Sequence, residues 1–183
     1  MLGTEKAQSM LSLRKHRGFT LIELVIGFAI IGILTILAVP AFQHWIQNTQ
    51  IRNAAEGILN GMQLARVEAV RRNVSVEMVM NGNSGWTIST VVAPTLIQQR
   101  SAQEGSSNAS IAILPATAAR VTFSGMGWIT NNADGTPAIT QIDVTSATMT
   151  GTEVRPLRIV LASGGLSKMC DPAVAAGDTR ACP

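Results

Sequence analysis

Arg17-Gly18-Phe19-Thr20-Leu21-Ile22-Glu23 leads directly into Leu24–Phe42, 19 residues without one charge. As a helix rising about 1.5 Å per residue, that run spans roughly the 30 Å of a bilayer's hydrocarbon core, so the chain is expected to enter a membrane. Arg14, Lys15 and Arg17 stand immediately before it. The positive-inside rule keeps them cytoplasmic and sends the C-terminal bulk across. An ordinary secretory signal is cut after its apolar region, which is then lost with the leader. Val39-Pro40-Ala41 would serve such a cut and yield a soluble exported protein. Glu23, a carboxylate just inside the apolar run, ill suits a disposable segment.

The Gly18-Phe19 junction with Glu23 resembles the prepilin signature of type IV pilins and pseudopilins. In that family a dedicated peptidase cuts after the glycine and the apolar helix is kept. The resemblance implies a leader at 1–18, a mature and N-methylated Phe19, and the inner membrane as the site of insertion. It also implies a C-terminal domain in the periplasm and other pilin or pseudopilin subunits as partners. Glu23 becomes the fifth mature residue, at the position of the family glutamate that pairs with a neighbouring subunit's N-terminal amine. The residues themselves also allow a local role, because Thr20 and Glu23 stand in the T-x-x-E relation of a capping box.

The leader also accounts for the charge. The chain carries 14 Lys+Arg against 11 Asp+Glu, a formal +3. Residues 1–18 hold Lys6, Arg14, Lys15 and Arg17 against Glu5, so residues 19–183 carry 10 basic and 10 acidic side chains. A basic whole-chain balance is therefore no argument for nucleic acid. Cys170 and Cys182 are the only cysteines, and an exported domain in an oxidising compartment predicts one disulfide between them.

Beyond the apolar run, Ile51, Ala55, Ile58, Met62, Ala65 and Ala69 recur at steps of four and three, with polar residues on other faces. This is one stripe of an amphipathic helix, expected to run to about Arg72. Residues 19–72 are thus read as one long helix with a transmembrane part at about 24–42. Pro40 lies inside it and removes a backbone donor, which predicts a kink. In the pilin family a glycine and proline at such offsets flank a segment that melts during fibre assembly.

Residues 73–183 turn to β-structure, read as one globular domain. Val74–Met80, Trp86–Val92, Ser110–Leu114, Arg120–Ser124, Ile139–Val144 and Leu157–Ala162 are short, apolar or alternating runs separated by turn residues. Pro94 to Asn108 reads as a loop. The expected fold is α+β, a long N-terminal helix packed on an antiparallel β-domain. The stretch 64–76, with Trp86 and Ser163-Gly164-Gly165, resembles the narrower group of H-type pseudopilins (GspH) and the minor pilins FimT and FimU. Arg66, Glu68, Arg71 and Arg72 read as a solvated helix end.

Catalysis is excluded by inventory. The histidines are His16 in the leader and His44 beside the apolar helix, and Lys168 is the one lysine beyond residue 18. Ser-His-Asp, H-E-x-x-H, Cys/His metal and P-loop arrangements are all absent. No cofactor, catalytic residue or metal site is expected. Carboxylate pairs such as Asp134 with Asp143 are conceivable for glycoside hydrolysis, and scattered surface acids are far commoner. Met78, Met80, Trp86 and Trp128 read as core or turn packing.

The rival function rests on residues 164–182. Some FimT-like pilins bind incoming DNA through a G-R-x-R run before the cysteine, and this chain reads Gly165-Leu166-Ser167-Lys168. Phosphate affinity scales with the number of cations. Lys168 and Arg158 remain as weak candidate DNA contacts, and DNA ranks behind subunits as a partner. The reading is therefore a non-catalytic minor pilin or pseudopilin, processed by a prepilin peptidase and acting in type IV pilus assembly or tip initiation. Its alternatives are an H-type pseudopilin of type II secretion and a DNA-binding competence pilin.

Overall fold

The computed structural model describes residues 18–183, so the leader apart from Gly18 lies outside the described residues. Helix α1 spans Leu21–Arg72, with Pro40 inside it. Compact units divide at that proline, into 1–40 and 41–183. In the first unit, the described helical residues expose every large apolar side chain, from Leu21 and Ile22 to Leu37 and Val39. Water offers no partner for such a surface. A membrane or other helices do.

The second unit buries the other half of α1. Ile51, Ala54, Ala55, Ile58, Gly61, Met62, Ala65 and Ala69 are all buried, and they include the whole stripe expected from periodicity. Fully burying each Ile or Met contributes about 1.5–3 kcal/mol as an upper figure. The small residues among them, Ala54, Ala55, Gly61, Ala65 and Ala69, let the helix lie close to its neighbours. Gly61 shows how close: a Cβ there would stand 2.9 Å from Trp86 Cε2 and 3.1 Å from Met78 Cε.

Among the described residues, nine antiparallel strands form two sheets. Strands β1 (Val76–Met80), β2 (Trp86–Thr90), β3 (Leu96–Arg100), β5 (Arg120–Phe123) and β6 (Ile129–Thr130) make a sheet ordered β3-β2-β1-β5-β6. Strands β4 (Ala109–Leu114), β7 (Gln141–Ser146), β8 (Leu157–Leu161) and β9 (Ser167–Cys170) make a second, ordered β4-β7-β8-β9. Alternation puts Val76, Met78, Ile88, Val121 and Phe123 of the first sheet and Ile142, Val144, Ile159 and Leu161 of the second into one core with the α1 stripe.

One expectation changes. The stretch 94–108 is not all loop, because β3 pairs with β2 inside it. As an edge strand with only Ile97 and Arg100 half-buried, β3 lacks the alternation that marks a strand with one buried face. Ser167–Cys170 extends the second sheet beside β8.

Helix α1 ends in a Schellman motif. Val74 N–H donates to Ala69 O and Asn73 N–H to Val70 O, both at 3.2 Å, with Asn73 left-handed at φ 52°. At the far end of the chain Cys170 and Cys182 form the expected disulfide, across a separation of 12 positions. By loop-closure entropy such a bond is worth about 3 kcal/mol.

Candidate functional site

At the helix start, Gly18, Phe19 and Thr20 precede α1 and are exposed. Thr20 Oγ1 accepts the Glu23 N–H at 3.2 Å, and Thr20 O accepts the Leu24 N–H at 3.1 Å. Thr20 is therefore the N-cap, and one half of the capping box is formed. The reciprocal half is not: among the described residues, the Glu23 carboxylate accepts no hydrogen bond and has no cation within ion-pair distance. It stands exposed at the head of an uncharged helical surface. Chemically, that arrangement can receive one cationic group from outside the chain.

The other sequence-chosen residues are dispersed. Pro40 sits mid-helix and the disulfide tethers the C-terminal tail to β9. Lys168 is exposed on β9, and no carboxylate pairs with it among the described residues. Arg158 is spoken for. Its Nε and Nη2 grip both oxygens of Asp143 at 2.6 and 3.1 Å, and that bond raises its pKa above the ordinary arginine value. Asp134 pairs with Arg120 and Asp178 with Arg180, at 3.0 and 2.8 Å. The acids considered for chemistry are thus held in ion pairs.

The end of α1 is not a simple solvated face. Arg66 is half-buried and its Nε donates to Gly127 O at 2.8 Å, tying the helix to the β5–β6 turn. Glu68 accepts from Arg71 at 2.6 Å and from Arg72 at 2.7 Å. These bonds, Arg71's first, hold its pKa at about 2. Trp128, read from the sequence as core or turn packing, follows the Gly125-Met126-Gly127 turn and is exposed.

Comparison with known proteins adds two family matches. The model described as type II transport protein GspH matches residues 54–165, and the prokaryotic N-terminal methylation motif matches residues 13–39. A fimbrial protein of Moraxella nonliquefaciens is 44% identical over 54 residues, covering 28% of this chain and 35% of its own length. The type IV major fimbrial protein FimA of Dichelobacter nodosus is 55% identical over 43 residues, 24% of this chain and 25% of that protein. The chain thus spans about a third or less of the length of these relatives. A crystal structure of the type IV minor pilin FimU of Pseudomonas aeruginosa is similar with a TM-score of 0.48 and 16% identity, over 69% of this chain and 92% of that one. Pilins and pseudopilins are structural, non-catalytic subunits. Matched over most of its length beyond the apolar segment and carrying the methylation motif over residues 13–39, the chain belongs to the type II transport protein GspH family of pilin-like proteins.

Proposed function

We propose that the chain is a minor subunit of a type IV pilus, acting in its assembly or tip initiation. On this reading prepilin peptidase cuts between Gly18 and Phe19, Phe19 is N-methylated, and the apolar half of α1 is held first by the inner membrane and then by neighbouring helices. The observation that carries the reading is the Glu23 carboxylate, without a partner among the described residues, at the start of an exposed, uncharged helix surface. A carboxylate moved into that apolar setting needs a cation to offset its desolvation, and the N-terminal amine of an adjacent subunit is such a cation. Pairing would set the axial register.

A second reading is favoured by the family match itself: a pseudopilin serving type II export through the same assembly chemistry. DNA uptake ranks lower, because Arg158 is neutralised by Asp143 and leaves Lys168 as the free cation of that pair. The test is Glu23→Ala in native cells. Membrane insertion should persist while incorporation into fibres falls at least tenfold, and normal incorporation would rule out the pairing. Deletion of the gene then separates the machines: loss of surface pili points to the first reading, and loss of exoprotein release with pili intact points to the second.

A further inference from the structure

Two loop turns and the last helical turns of α1 meet at one end of the β-domain unit. The β5–β6 turn lies on the helix, where a Cβ on Gly127 would stand 3.0 Å from Val70 Cγ2 and 3.3 Å from Arg66 Nε. The β8–β9 turn lies on the β5–β6 turn in its place, since a Cβ on Gly165 would overlap Gly127 O. Ile129 N–H donating to Ser163 O at 3.3 Å fastens the two turns together. Glycine at both positions, each with positive φ, allows this stacking.

The consequence is a cluster of apolar side chains with nothing over them. Met126 is 80% exposed, Leu166 65%, Trp128 64%, Val67 59% and Val70 51%. Single exposed apolar residues are ordinary, but five gathered on adjoining turns and one helix face are not. Trp and Met, with Arg, are the types enriched at protein contacts. The cluster is also charged at its rim. Arg66, Arg71, Arg72 and Lys168 belong to the same helix end and turn segments, and the one carboxylate on those segments, Glu68, is already shared by Arg71 and Arg72. Glu77 and Asp134 are both bound to Arg120.

We propose that this end of the domain docks a different protein subunit, one presenting apolar side chains inside a carboxylate rim. The inference deepens the assembly reading above and rests on it. Charge complementarity selects the occupant. A second copy of this domain fits poorly, because the exposed acids at 41–183 without an ion pair among the described residues, Glu104 and Glu153, lie within a few residues of Arg100 and Arg155 and offer no net negative surface. Trp128 is the anchor and Lys168 sets orientation from the rim.

The experiment places a photo-crosslinking benzoylphenylalanine at Trp128 of the full-length chain in native cells, with the same probe at exposed Val92 as control. The expected result is one adduct specific to position 128, joined to a peptide of another protein containing Asp or Glu. Lys168→Glu should lower its yield about tenfold or more, and reversing the crosslinked acid to lysine should restore it. An adduct to a second copy, to nucleic acid or to lipid overturns the proposal, as does a yield indifferent to Lys168→Glu or equal to that at Val92. Glu23→Ala run in parallel separates the two claims. If Glu23→Ala blocks incorporation while position 128 captures nothing, the docking surface is wrong and the assembly reading stands. If position 128 gives its adduct and Glu23→Ala is incorporated normally, the docking surface stands and the Glu23 pairing falls.

Discussion

Glu23 and Gly61 represent the two kinds of residue that matter here, one left without a partner and one made small by its partners. Glu23 was legible from the sequence because a charge in an apolar run is conspicuous. Gly61 was not, since a glycine in a helical pattern carries no sign of what approaches it. The structure puts Trp86 and Met78 against it, both buried. Gly61→Ala should therefore destabilise the domain by about 1–3 kcal/mol, although alanine is the better helix former by about 1 kcal/mol. Denaturant unfolding of the detergent-solubilised chain measures it. Unchanged or increased stability would show that the indole yields at no cost.

Among the elements, α1 was read best, because its apolar residues report burial directly: all six stripe positions are buried. The central strands β1 and β2 were legible for the same reason, with alternate residues facing the core. Strands β3, β6 and β9 were missed, being short or at a sheet edge where half-exposed residues of mixed polarity lose the period. The end of α1 combines local and tertiary causes. Two arginines in the last turn suit the helix dipole and hold Glu68 ionised down to about pH 2. Because the folded-state pKa lies below the ordinary value of 4.5, the contribution of Glu68 is fully present above about pH 4.5 and is lost as pH falls towards 2. Thermal melts should show Glu68→Gln less stable than the native chain at pH 7 and converging with it near pH 2. Asp178, held at about 2 by Arg180, titrates in the same window in both proteins and cancels in the comparison. A difference independent of pH would assign the loss to packing.

At the scale of the whole molecule, one half of α1 belongs to a folded domain and the other half to whatever surrounds it. The α+β class and the apolar segment were both visible in the pattern of residues. The cationic, apolar end of the domain was not. Its members come from positions 66–72, 126–128 and 166–168, and only the stacking of two glycine turns on the helix brings them together. The central claim is that the apolar helix is retained in the working protein rather than discarded, and intact-mass analysis of the chain extracted from native membranes tests it most directly. The account predicts a mature N-terminus at Phe19, with residues 1–18 removed and one methyl group added. A mature chain beginning at Phe42, after Val39-Pro40-Ala41, would contradict it.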